Sequence, residues 1–494
     1  MPEKIKSKNS SLKIYEINTL PWINELTRRY SKKIKLDNIP EEIFEEILYK
    51  FDAIWLMGVW ERSPKSREIA LNEPDLREGF NNVLPDLKDD DVVGSPYAVY
   101  YYHVDKYFGG FDALDKFREK LHEKDMNLIL DFVPNHVAVD HLWTLEKSDV
   151  FLEGTKQDLE NNPDMYFAVD DRVFAHGKDP YYPPWTDTVQ INAFSNAARE
   201  KMVSTLNSIA QHCDGVRCDM AMLVTNEIFK KNWGEHVRKA PKKDFWEVII
   251  PKVHEKYPEF LFIAEVYWDM EWKLMQQGFD FCYDKTLYDR LKSTNVDSII
   301  GHLQADLSYQ KKLLRFIENH DEERALKAFG KDKSMAAALI SFTIPGAKLV
   351  YEGQMKGYET KIPVQLSRRP EEATKEELVR FYKKILDLSF EDESSWNLCE
   401  IKPVESEGDN SHEKIIAHQW ENEKYITLIS VNYSPFNNQA IVHPRNVPSN
   451  ERELILRDVL SDSTIKRSPN EIKENGLTIG FGPWESTIFR IPKV

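Results

Sequence analysis

The sequence predicts an α/β protein built on a (β/α)8 TIM barrel. It also predicts a small lobe inserted after the third strand and a C-terminal antiparallel β-sandwich. Three observations carry this. Eight short apolar runs lack polar alternation, as strands covered on both faces do. Stretches with apolar residues at helical spacing separate most of them, which is the alternation of a parallel barrel. After about Glu400 the pattern changes to strands at short spacing with polar turns.

The first barrel strand is predicted over Leu12–Ile17, "LKIYEI". A helix follows in "IPEEIFEEILYKF", where Pro40 and acids open a helical apolar pattern. The second strand is "AIWLM" (Ala53–Met57). Helix Gly110–Asp125 leads to the third strand, "LILDFV" (Leu128–Val133). The stretch from His136 to about Asn192 is too long for an ordinary connection and is rich in Pro and aromatics. It reads as an ordered lobe. Helix Ser195–Cys213 then precedes the fourth strand, "GVRCD" (Gly215–Asp219), and helix Asp244–Tyr257 the fifth, "LFIAEV" (Leu261–Val266). "DFCYD" (Asp280–Asp284), "LLRFIE" (Leu313–Glu318) and "AKLVYE" (Ala347–Glu352) complete the eight. Helices are predicted in "DKSMAAALISFTI" and "TKEELVRFYKKILDLS"; the helices after strands five and six have weaker patterns. The runs "KIIAHQW", "YITLISVNYS", "NQAIVHP", "RELILRDVL" and "ESTIFRI" form the sandwich. The expected domains are 1–136 and 193–395 for the barrel, 137–192 for the lobe and 396–494 for the sandwich.

Composition narrows the function. The 494 residues carry a net charge of −16, which argues against a nucleic-acid partner that needs a basic footprint. No apolar run reaches the ~18 residues of a membrane span. The N-terminus is basic with no apolar stretch behind it, unlike a secretion signal. The four cysteines, Cys213, Cys218, Cys282 and Cys399, show no CxxC spacing and read as free thiols. A cytoplasmic location is expected.

Active sites of such barrels sit at the C-terminal ends of the strands. Reading those ends gives Asp131, Asn135 and His136 after strand three, and Arg217 and Asp219 at strand four. Glu265 ends strand five, and Asn319, His320 and Asp321 follow strand seven. Singly, each has an ordinary explanation: a cap, a structural histidine, an ion pair. Together, four carboxylates, two histidines and an arginine at one end of one barrel point to a site. Arg217 and Asp219 are two apart, so they share a face of the strand, and Arg217 can keep Asp219 ionised and oriented. Burial near other acids is expected to keep Glu265 protonated. One charged and one protonated carboxyl are the equipment of retaining glycoside hydrolysis.

At these residues the chain resembles the α-amylase family, glycoside hydrolase family 13. "DFVPNH", "GVRCDMA", "IAEV" and "FIENHD" are similar to its four signature regions, in order. "GSPYAVYYYHVDKYFGGFDAL", "WTDTVQIN", "IPGAKLVYEGQ" and "GFGPWESTIFRI" extend the resemblance over nearly the whole chain. It implies Asp219 as nucleophile, Glu265 as general acid/base and Asp321 as a ligand of sugar hydroxyls that stabilises the transition state. It implies substrate binding by Tyr97, His136, Arg217 and His320. Asp131 and Asn135 would be structural, near the site. The implied partner is an α-glucan or oligosaccharide, with a short soluble one favoured over granular starch. No cofactor is predicted. Calcium stays open, because Asn135 matches one of its ligands in many members and the remaining ligands do not match. Met222 and Leu223 stand where some amylases have a Lys-His pair on the leaving-group side. Trp60, Trp185 and Trp268 are candidate sugar platforms or core residues. The same carboxylates would serve a hydrolase or a transglycosylase, phosphorylase or isomerase. A non-catalytic relative would be expected to lack them and to carry a membrane span. The sequence leaves oligomeric state open.

Overall fold

Ala53–Met57 shows why a barrel forms. All five of its residues are apolar and buried, so both faces need cover and both edges need a partner. In the computed structural model, described for residues 11–47, 50–237, 239–390, 395–404, 410–448 and 453–493, that demand is met by closure. Strands β1 (Lys13–Asn18), β2 (Ala53–Met57), β3 (Asn127–Phe132), β4 (Gly215–Cys218), β5 (Leu261–Ala264), β6 (Phe281–Tyr283), β7 (Leu313–Arg315) and β8 (Ala347–Tyr351) follow one another around a closed barrel. The resolved ladders between them are parallel.

Strands β3 to β8 end earlier than their apolar runs suggest, β2 ends as expected and β1 one residue later. Asp219, Glu265 and Phe316–Glu318 lie beyond the ladders, in the loops that carry the polar groups. The helices match the helical patterns, with shorter C-terminal ends. Gly110–His122 turns Ala113, Leu114, Phe117 and Leu121 inward. Asn196–Ile209 starts where Ser195 Oγ accepts from the Ala198 N–H, and Phe245–His254 starts at an Asp244–Glu247 capping box. After β5 comes only the short helix Glu271–Gln276; after β6 come three, Lys285–Ser293, Val296–Leu303 and the single turn Leu307–Gln310. The predicted basic N-terminal residues 1–10, residues 48–49 of the first predicted helix and Arg452 of a predicted sandwich strand lie outside the described residues.

The chain falls into two compact units, one built mainly on residues 14–283, the other on 284–359 and 372–494. In the first, the inserted lobe leaves and returns side by side. His136–Ala138 pairs antiparallel with Thr188–Gln190, with His136 opposite Gln190. Between them sit a three-stranded sheet and the helix Lys156–Asn161. In the second, the sandwich has a six-stranded and a three-stranded sheet. Ile415, Ile426, Leu428, Val442, Ile479 and Ile491 form its core. His418 is buried on the opposite face of the six-stranded sheet: the Trp396 indole N–H donates to its Nδ1 at 3.2 Å and its Nε2 meets Thr343 Oγ1 at 3.1 Å. An indole only donates, so Nδ1 carries no proton and the ring is neutral. Burial, with Lys348 nearby, pushes His418 down to about 3. Among the described residues, no helix is long and apolar enough to cross a membrane.

Candidate active site

Arg217 organises the site. It points from β4 into a nest of aromatic rings, with Tyr97, Trp55 and Tyr283 centroids at 5.2, 5.3 and 5.8 Å from its guanidinium carbon. Nη1 donates to Asp219 Oδ1 at 2.5 Å, Nη2 pairs with Glu265 Oε2 at 2.8 Å and Nε donates to the Tyr283 hydroxyl at 3.3 Å. Burial works against its charge, but Glu265, Tyr97, Tyr283 and Asp219 outweigh it and hold Arg217 well above its ordinary value. One fixed cation thus serves both carboxylates.

The loop after β4 completes the arrangement. Asp219 is anchored by its N–H to the Phe132 carbonyl at 2.8 Å, and Glu265 by its N–H to the Cys218 carbonyl at 3.0 Å. Met220 is left-handed, φ 41° and ψ 46°. That conformation is costly for a side chain of its size, and it aims the Met220 N–H at Glu265 Oε2, 2.6 Å away. The Tyr267 hydroxyl donates to Oε1 at 2.7 Å. Glu265 therefore meets two hydrogen-bond donors and an ion-pair partner, where the sequence led us to expect mainly burial beside acids. Arg217 was read as a partner of Asp219 alone; its second carboxylate comes from the neighbouring strand, which spacing within β4 does not reveal.

Asp131 lies opposite Arg217 in the β3–β4 ladder. Its Oδ1 accepts from the Trp55 indole at 3.1 Å, Oδ2 from the Gly58 N–H at 2.7 Å, and its carbonyl from the Trp60 indole at 2.8 Å. Trp60 is only 1% exposed, so it is a core residue and no sugar platform. His136 is buried, which pushes it below its ordinary value, and packs 5.0 Å from the Trp185 ring. Tyr97 is half-buried over Arg217.

Asn135 tests the calcium expectation. Its Oδ1 and its carbonyl accept from Gln190 Nε2 at 2.9 and 2.8 Å, and the Ile191 carbonyl does so at 3.0 Å. A side-chain amide holds the oxygens that a hard cation would need, and Asn135 and Gln190 are both buried. These residues do not fit a calcium ion.

In the second unit, the Asn319 side-chain oxygen accepts from the N–H groups of Asp321 and Glu322, both at 2.9 Å, which turns the chain sharply after β7. The turn leaves the Asp321 side chain 42% exposed, with Oδ2 2.9 Å from Nε2 of the buried His320. Beneath it, Glu318 pairs with Arg324 at 3.1 Å, and Arg324 donates to the Glu352 carbonyl at 2.8 Å and packs over Tyr351. The reading of strand ends missed Met220, Tyr267, Tyr283 and this Glu318–Arg324 pair. The charges in "ENHDEER" were the one signal for the last.

A parallel barrel with an arginine-bridged pair of buried carboxyls beyond β4 and β5 is built as an enzyme of the barrel class is built. A family model described as the alpha-amylase catalytic domain matches residues 50–427, and the chain belongs to that family. The alpha-amylase MalA of Haloarcula japonica is 25% identical over 285 residues, 54% of this chain and 38% of that protein. Alpha-amylase 3 of Dictyoglomus thermophilum is 23% identical over 294 residues, 55% of each chain. The matches thus span about two-fifths and about half of these relatives. Among solved structures, the maltogenic alpha-amylase AmyB of Thermotoga neapolitana has a TM-score of 0.67 at 20% identity, covering 97% of this chain and 98% of its own. The acarbose complex of the Geobacillus thermoleovorans alpha-amylase has a TM-score of 0.65 at 17% identity, covering 99% of each. At these identities the likeness shows the fold.

Proposed function

We propose that the protein is a retaining glycoside hydrolase that cleaves α-glucosidic bonds in soluble malto-oligosaccharides or short α-glucans. One observation carries the reading: a single buried guanidinium holds Asp219 and Glu265 together. Two carboxyls that share one guanidinium favour the close pair of a retaining enzyme, roughly 5–5.5 Å apart, over the roughly 6.5–9.5 Å that leaves room for a water in an inverting one.

The Asp219 carboxylate attacks the anomeric carbon of the sugar. Glu265, in its protonated form, gives its proton to the glycosidic oxygen as that bond breaks. A water then displaces Asp219 from the opposite face, and its proton returns to Glu265. Arg217 keeps Asp219 oriented. Asp321 and His320, following β7 of the same barrel, bind the sugar hydroxyls. Tyr97 and His136 line the same sugar, and the lobe 137–192 walls the substrate. Gln190 ties that lobe to Asn135, so activity does not require calcium. The free thiols, three of them buried, support a reducing, cytoplasmic setting.

Two inversions restore the starting stereochemistry, so nuclear magnetic resonance of the first-formed product should show the α-anomer. An initial β-anomer overturns the covalent route. A purified chain inert on maltose, maltotriose, starch, sucrose and trehalose, with and without phosphate, overturns the substrate class.

A further inference from the structure

A cavity of about 750 Å³ opens in the second unit, and none of the residues placed in the proposed chemistry lines it. Its walls come from the helices Lys331–Thr343 and Glu376–Leu386 and from turns of the sandwich. That size lies within the roughly 300–1,000 Å³ of small-molecule sites.

Trp484 lines the cavity, on the turn between the strands Leu477–Phe481 and Ser486–Pro492, with φ of 57°. Bulky residues rarely adopt positive φ, and such conformations concentrate where ligands are clamped. Trp484 is half-buried, unlike the core residues Trp55, Trp60, Trp233 and Trp246 and the exposed Trp268 and Trp272. Its turn is fixed. The Trp484 N–H donates to the Ser434 carbonyl at 3.0 Å, and Asn432 Nδ2 donates to the Gly482 carbonyl at 2.7 Å. The indole packs edge-on against the buried Tyr433, with centroids 5.2 Å apart and planes at 81°, and Lys333 Nζ lies 5.6 Å from its centroid. Phe381 and Met335 add apolar wall.

The polar lining selects the ligand. Four carboxylates, Asp332, Glu377, Asp458 and Glu485, stand against two cations, Arg380 and Lys384. A phosphate or other anion would meet an excess of negative charge. A cation fares no better, because three of the carboxylates are already engaged. Asp458 accepts from the N–H groups of Leu460, Ser461 and Ile488 and from the Ser461 hydroxyl. Glu377 pairs with Lys331 at 2.5 Å, and Glu485 Oε2 accepts from the Gly482 N–H at 2.7 Å. A wholly apolar ligand would strip water from charged groups. What fits is a neutral molecule with an apolar face for the indole and a rim of hydroxyls for Arg380 and Asp332. A pyranose has both.

We propose that this cavity is a second carbohydrate site, which binds a short stretch of α-glucan against Trp484 and Arg380. The inference goes beyond the function proposed above; only the choice of glucan among neutral sugars rests on it. A glucan held here stays on the protein after each cleavage, which raises its effective concentration for the next.

The test reads the indole itself. The full chain carrying Asp219→Asn, which spares the sugar from cleavage, is labelled with fluorotryptophan, and Trp484→Phe assigns the Trp484 fluorine resonance. Titration with maltotriose should move that resonance saturably, with a midpoint of about 10 mM or below. Arg380→Ala, at an exposed helix position, should raise the midpoint about threefold or more. An equal midpoint in that variant means that the shift is relayed from the cleavage site, and overturns the proposal. So does a Trp484 resonance unmoved by maltotriose up to about 100 mM, or one that moves with pyrophosphate or spermidine and not with maltotriose. A wild-type chain that cleaves no malto-oligosaccharide overturns the proposed function instead, and the Trp484 titration still decides the second site.

Discussion

Asp214 and Asp219 flank the two ends of β4, each with an arginine, and they do opposite things. Asp214 is saturated. Its Oδ1 takes Arg118 Nε and Nη2 at 3.0 and 2.5 Å; its Oδ2 takes His122 Nε2 at 2.9 Å and the Leu128 N–H at 2.7 Å. Nothing is left over for a ligand. The Asp219 side chain, among the described residues, accepts a hydrogen bond from Arg217 through Oδ1, and the other oxygen is available to a reacting atom. A buried carboxylate with every lone pair engaged is a joint, while one held by a single oxygen is a tool. Both can be found from the charges in "DGVRCDM", but only the count of donors separates them.

Substitution should split the two cleanly. Asp219→Asn should lower turnover of malto-oligosaccharides by at least about 10³-fold with the melting curve nearly unmoved, since a nucleophile is lost and little packing changes. Asp214→Ala should do the reverse: stability falls by about 3–5 kcal/mol because Arg118 is left without its buried partner, while specific activity of the folded fraction persists. Denaturant titrations and initial rates on both variants check this. Equal effects on rate and stability in the two would erase the distinction.

Glu265→Gln sharpens the comparison on the β5 side. Hydrolysis of malto-oligosaccharides should fall about 10²–10⁴-fold for want of an acid. The first-turnover burst of fluoride from α-glucosyl fluoride, a departure that needs no proton, should fall far less. Parallel losses on both substrates would remove Glu265 from the proton transfer.

Acid should find the joints in order. The His418 value is lowered, so the unfolded chain takes up a proton that the folded ring refuses. Stability is therefore intact above about 6.5 and declines below it by about 1.4 kcal/mol per pH unit, down toward 3. Asp214 behaves differently. Burial favours its neutral form, but His122 and Arg118 outweigh burial and hold it below the usual carboxylate range. Its contribution is present above about 4 and is lost as pH falls through the lowered value. Unfolding free energies of wild type and His418→Phe between pH 7 and 5 should converge as pH drops; parallel curves would mean that His418 titrates normally.

The smallest expected effect is that of chelation. With Gln190 bonded to Asn135 Oδ1, a chelator should shift the melting temperature by less than about 1 °C, on the scale of a few tenths of a kcal/mol. A large loss of activity restored by calcium alone would show a metal site elsewhere.

The barrel could be read because its strands are short, mostly apolar runs and several carboxylates follow where the ladder stops. Asp219, Glu265 and Asp321 stood out for that reason. What could not be read depends on backbone conformation or on contacts between segments distant in sequence. The left-handed Met220 has no glycine to mark it. Gln190 meets Asn135 only because the lobe returns beside its own exit. Trp60 and Trp268 look alike in sequence, and only burial sorts one into the core and the other to the surface.

The closed ring also sets a timetable. The Lys348 N–H donates to the Leu12 carbonyl at 2.7 Å, joining the first strand to the last. A ribosome adding roughly 5–20 residues per second makes these two partners roughly 15–70 s apart. Throughout that interval the first strand is a nascent edge without its neighbour, the kind of edge that pairs with other chains. The step most exposed to aggregation is therefore the wait for the final seam during synthesis.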